Sequence, residues 1–174
     1  NVIIEGNTIR SHGCGIRSWD SPQHTGGTWN SVAIWIGGRE GNETNNSIVR
    51  NNIIRDMNEP CPEAGDIATR DIAYGAQGIW CDVNGNNPND NVQIYGNQIH
   101  NVSAVGHGNG IHVEHKCDGL HVSGNIITNT EVGIKIRAGK NNSIVNNTIY
   151  RAGRHGILVA NGPQTSYTVA NATI

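Results

Sequence analysis

Apolar and polar residues alternate with period two in short runs along residues 108–149, and each run ends in Gly, Asn or another turn former. The pattern comes as two phrases. The first reads Gly110-Ile111-His112-Val113 and, further on, Gly133-Ile134-Lys135-Ile136. The second has the form apolar-x-x-Asn-x-Ile, as in Val122/Asn125/Ile127 and Ile144/Asn147/Ile149. Period two over four to six residues predicts half-buried strands, and no stretch carries a helical period. Both phrases recur along the chain. The Asn phrase is found at Ile4/Asn7/Ile9, Ile48/Asn51/Ile53 and Ile94/Asn97/Ile99, with a degraded copy at Val169/Ala172/Ile174. The Gly phrase is found from Ala33 to Ile36, Gly78 to Cys81 and Gly156 to Val159. Strand-and-turn units repeated every 20–30 residues form a solenoid, because one unit alone cannot bury its apolar face.

In such a solenoid, equivalent residues stack about 4.8 Å apart along the axis. The predicted inward rows are Ile4, Ile48, Ile94, Val122 and Ile144, and Ile36, Cys81, Val113, Ile136 and Val159. The repeated Asn is suited to a ladder in which each amide bonds the next, at a corner that needs a left-handed residue. With these phrases, the chain resembles the right-handed parallel β-helix of the pectate-lyase-like superfamily over nearly all of its 174 residues. The resemblance implies an all-β fold of five nearly full rungs and the start of a sixth. It implies little about activity, since that fold carries lyases, hydrolases, epimerases, tailspikes and adhesins.

Composition narrows the reading. The net charge of −2 excludes a strongly basic nucleic-acid binder. No charged leader or long apolar run is visible, so no membrane span is expected. The chain starts and stops within a repeat, and we expect a single domain over 1–174 that is a fragment of a longer protein. Four cysteines form no metal-binding box. Cys81, on an inward row, reads as a buried thiol, and Cys117 falls in a turn without an evident partner. Cys14 and Cys61 lie in long insertions on one edge, and a bridge between them is an option in an extracellular protein.

Two features point to chemistry. First, the long insertions, 10–32 and 54–77, belong to adjacent rungs and leave the same corner, which marks a binding face. Tyr74 and Arg70, from the second insertion, are candidate substrate-binding residues. Second, alternation places Trp35, Trp80, His112, Lys135 and Leu158 in one outward row, with Gly37, Asp82, Glu114, Arg137 and Ala160 in the next. Arg39, His115, Lys116 and Lys140 lie beyond. Aromatic planes suit the apolar face of a sugar ring, so Trp35, Trp80 and His112 are candidate substrate contacts. Asp82 and Glu114 on neighbouring rungs should stand about 5 Å apart.

That spacing fits two chemistries. In a lyase the pair would hold Ca²⁺, and Lys116, Lys135 or Arg137 would abstract a proton. This layout is similar to the polysaccharide lyases of the superfamily. In a retaining glycosidase one carboxyl would be the nucleophile and the other the acid/base. Arg154-His155-Gly156 also resembles a phrase of some β-helix lyases, but it lies on a short-loop rung away from the wall. We therefore expect an extracellular, carbohydrate-active β-helix that cleaves a polysaccharide as a lyase or hydrolase. The competing expectation is a non-catalytic glycan-binding or structural solenoid, such as a tailspike or adhesin segment.

Overall fold

The computed structural model describes residues 1–12, 31–39, 44–58, 76–84, 89–103, 108–115, 117–160 and 169–174. Every regular element among them is a β-strand, and all strand pairs are parallel. The chain is a right-handed parallel β-helix. One sheet stacks Ile3–Glu5, Ile48–Arg50, Gln93–Tyr95, His121–Ser123 and Ser143–Val145. A second face stacks Thr8–His12, Ile53–Asn58 and Gln98–Ser103 on the start of Ile126–Ile136, which pairs in turn with Thr148–Val159. A third stacks Ser31–Arg39, Ala76–Asn84 and Asn109–His115 on the later parts of the same two long strands. Residues 10–12, 31–32, 54–58 and 76–77 thus lie in strands. The remainder of the two expected insertions, 13–30 and 59–75, lies outside the described residues, as do Cys14, Cys61, Arg70 and Tyr74.

The predicted Asn ladder exists, with one correction of register. Asn7, Asn52, Asn97, Asn125 and Asn147 form it, each Nδ2 donating to the next Oδ1 at 2.9–3.0 Å. Asn51 is not a member. The segment Ile48-Val49-Arg50-Asn51-Asn52-Ile53-Ile54 doubles every class of residue, so the sequence phrase fits two registers one residue apart. The corner decides between them. The residue before each ladder Asn must be left-handed, and Gly6 (φ 68°), Asn51 (55°), Gly96 (64°), Gly124 (61°) and Asn146 (56°) fill that place. Asn is the side chain that tolerates this conformation best. A one-residue slip exchanges the faces of a strand. Hence Val49, not Ile48, joins the inward row, fully buried between Ile4 and Ile94.

The other corners repeat the device. Asp56, Asn101 and Asn129 have φ near 55°, and Asn129 bonds Asn101, which bonds Asp56, each at 2.9 Å. Asn46, Asn91, Asn141 and Asn171 are left-handed at the third corner. The core is the stacked Ile and Val of the three faces, with Ile34, Ile79, Ile111 and Ile134 in one column. The Gly of the Gly phrase has a packing cause. A Cβ on Gly110 would stand 2.6 Å from Ile127 Cγ2 and 2.7 Å from the Gly133 carbonyl. The Ile of the Asn phrase therefore fills the volume that a side chain on the third sheet would need.

The cysteines depart from the sequence reading. Cys81 is not a thiol; it is bridged to Cys117, with Cα atoms 6.6 Å apart and both residues fully buried. Cys117 lies not in a turn but in the short strand Cys117–Asp118, which pairs with Asn89–Asp90, and it points inward towards a row that spacing alone could not align with it. The bridge closes a segment of 36 residues. Its removal in a Cys81→Ala/Cys117→Ala protein should cost about 3–4 kcal/mol by the chain-entropy relation. Chemical denaturation of the two proteins checks this; equal midpoints would show that the bridge contributes no stability.

Candidate functional site

The third sheet carries the outward rows as predicted. Trp35 pairs with Trp80, Trp80 with His112, His112 with Lys135, and Lys135 with Leu158. The Trp80 and His112 rings stack at 6.0 Å with planes 9° apart, and Trp35 tilts 30° from Trp80 at 6.2 Å. Exposure falls along the row. Trp35 is 47 % exposed, Trp80 is half-buried and His112 is fully buried. Trp35 is thus the open end of an aromatic strip.

One step along the strands, Gly37 pairs with Asp82 and Asp82 with Glu114. Both acids face away from the core, because Cys81 and Val113 between them occupy it. They are nonetheless buried, at 5 % and 1 % exposed. Each has a cationic partner. Arg137 Nη1 donates to Glu114 Oε1 at 2.9 Å, and His115 Nδ1 bonds Asp82 Oδ1. Glu114 Oε2 makes no hydrogen bond and lies 3.8 Å from His112 Nε2.

These surroundings separate the protonation behaviour of the groups. Burial pushes the Glu114 carboxyl above the usual carboxylate range, and Arg137 and His115 oppose this only in part. The bond to Asp82 raises His115 against its own burial. Burial, and then the charge of Arg137, lowers Lys135. The site therefore combines a carboxylic acid inclined to keep its proton, a second carboxyl bonded by a histidine inclined to hold its proton, and a lysine inclined to lose its proton. Opposed environments of this kind are how one site supplies both an acid and a base.

Of the residues expected from sequence, Asp82, Glu114, Arg137, Lys135, His112, Trp80 and Trp35 come together here. Lys116 lies outside the described residues. Among the described residues the donor set does not fit Ca²⁺. That ion takes six to eight oxygens, whereas Asp82 is bonded by His115 and Glu114 by Arg137. Among the described residues no group of three or more His, Cys, Asp or Glu could hold a metal. His115 is the member that sequence reasoning left out of the site. The sequence places it beyond the outward acidic row without a role there; its backbone is left-handed at φ 54° and the side chain meets Asp82. A lone His two residues past a strand phrase gives no sequence signal for that turn.

A family model described as right handed beta helix region matches residues 1–149 and 67–174. The chain belongs to this family. No curated protein and no solved structure matches it. The right-handed β-helix is compatible with carbohydrate-active proteins and with structural ones. Among the described residues, no helix is long and apolar enough to cross a membrane.

Proposed function

We propose that this β-helix hydrolyses glycosidic bonds in a polysaccharide lying over the third sheet, with Glu114 as acid/base and Asp82 as nucleophile. The observation that carries the reading is the register-paired Asp82 and Glu114 beside the aromatic strip, one with its proton affinity raised by burial and the other bonded by His115. One rung is about 4.8 Å, close to the roughly 5–5.5 Å that separates the carboxyls of retaining enzymes. In the first step Glu114 gives its proton to the glycosidic oxygen as Asp82 attacks the anomeric carbon, and the leaving sugar departs. In the second, Glu114 takes a proton from water, which attacks the same carbon and releases Asp82. Trp35 and Trp80 would receive neighbouring sugar rings. Arg137, His115 and Lys135, all half-buried, rim the acids and would be the first groups to shift on binding.

A second reading is β-elimination from a uronate, with Lys135 as the base. It is supported by the lowered proton affinity of Lys135 beside Arg137. The two leave different products. Incubation with xylan, β-glucan, polygalacturonate and alginate, followed by reducing-end and ultraviolet detection, should give new reducing ends without unsaturated product. Ultraviolet-absorbing ends would replace hydrolysis with elimination. Binding without either product would leave a glycan-binding solenoid. The Cys81–Cys117 bridge supports an oxidising, extracellular setting for this activity.

A further inference from the structure

We infer that His115 is a positioning residue of this site, fixing the Asp82 carboxyl for attack. The inference rests on the hydrolase reading and adds a residue to it. It stands on three observations. His115 leaves the strand through a left-handed backbone at φ 54°. Histidine is among the side chains that enter this region more readily, as Asn does at other corners of the coil. The turn carries Nδ1 across a rung boundary onto Asp82 Oδ1, while the neighbouring Glu114 is bonded from the other side by Arg137. The ring is half-buried, so the pair is shielded from competition by bulk water.

Asp82 and Glu114 stand on adjacent rungs, and like charges so close cannot both be free of compensation. The two have different partners: His115 bonds Asp82, and Arg137 bonds Glu114. The charged groups facing His115 are Asp82 from the strand Ala76–Asn84, Glu114 from its own strand, and Arg137 beyond Ile126–Ile136. The two carboxyls favour the imidazolium and Arg137 opposes it, with the Asp82 bond the largest influence.

Two measurements test this and fail independently. In the first, the His115 imidazole is titrated by NMR in the protein without substrate. It should titrate above the ordinary histidine range, and Asp82→Asn should return it downward by about one pH unit or more. Identical titrations in the two folded proteins would overturn the proposal whatever the activity. In the second, the pH–rate profile is measured on whichever polysaccharide the wild-type protein degrades. Without the imidazolium, ionisation of the carboxyl pair is harder. The acid limb in His115→Ala should therefore move to higher pH by about one unit, with kcat down about tenfold or more and KM within about twofold. His115→Gln, which keeps a donor without the charge, should recover part of kcat but not the position of the limb. An unmoved limb in both variants would reduce His115 to a structural residue. Absence of cleavage by the wild-type protein would end the hydrolase reading, while the titration would still report on the His115–Asp82 pair.

Discussion

Glu114→Gln is expected to remove glycosidic cleavage while leaving the protein as stable as before, or more stable, at neutral pH. The catalytic half follows from proton donation. Glutamine keeps the size of the side chain and a carbonyl that can accept from Arg137, but it has no proton of the required acidity to give. General acid/base groups typically contribute about 10²–10⁴-fold, and that is the expected fall in kcat/KM. The stability half follows from linkage. Folding raises the proton affinity of Glu114 above its ordinary value of 4.5, with burial as the leading cause. The native state therefore binds the proton more tightly than the unfolded state does. The contribution of this group is full below pH 4.5 and is lost as pH rises through the folded-state value. Glutamine cannot ionise, so the variant escapes that loss. Melting temperatures from acid to neutral pH should fall less steeply in the variant than in the wild type. A variant that keeps wild-type activity on the degraded polysaccharide would remove Glu114 from the mechanism. A variant that melts well below the wild type at pH 7 would show that the Arg137 pair outweighs the cost of burying the charge.

Stability and activity pull apart at Glu114 because the site breaks rules that the rest of the chain keeps. Along the core columns, a buried position takes Ile or Val and the next position outward is polar, and this is why the coil could be read from its period. Trp80, Asp82, His112 and Glu114 are also predicted outward by that period, and the register places them there. What the period cannot report is that they are covered. Burial on the outer face depends on neighbouring side chains from several rungs, and alternation carries information only about parity. For that reason the sequence rows named the members of the site but not their protonation.

The readings that failed share a physical origin. Asn51 and Asn52 both fit the sequence phrase because doubled residues satisfy two registers, and the choice rests on a backbone angle at the corner rather than on a side-chain pattern. His115 is hidden for the same reason, since a single left-handed residue brings its side chain to Asp82. The Cys81–Cys117 bridge joins strands of two different sheets, whereas the rows align only equivalent strands. Period-two patterning thus describes the flat faces of the coil and is silent at its bends.

The Asn ladder gives the largest expected stability effect, and its sensitivity should depend on depth along the axis. Asn97 is fully buried at the centre of the ladder. Its Nδ2 donates to the carbonyls of Val49 at 3.0 Å and Tyr95 at 3.2 Å, and to Asn125 Oδ1 at 3.0 Å. Its Oδ1 accepts from both the backbone and side-chain nitrogens of Asn52, each at 3.0 Å. Asn97→Ala removes the acceptor of the buried Asn52 backbone N–H and a donor to the Val49 carbonyl, while Asn52 Nδ2 keeps the Ile4 and Arg50 carbonyls. At about 1–3 kcal/mol for each buried group left unpaired, the loss should be about 3–5 kcal/mol. For a chain of this size that corresponds to a fall of roughly 10 °C in melting temperature. Asn7 bonds the same ladder but is exposed, so water can replace its partners and Asn7→Ala should cost under about 1 kcal/mol. Asn97→Asp is the sharper variant. A carboxylate keeps the acceptor for Asn52 but faces the Val49 and Tyr95 carbonyls without a donor, so burial raises its proton affinity. Its stability should be worst at neutral pH and recover as pH falls, when the protonated acid can donate again. Equal denaturation midpoints for Asn97→Ala and Asn7→Ala would show that the ladder orders the corner without stabilising it.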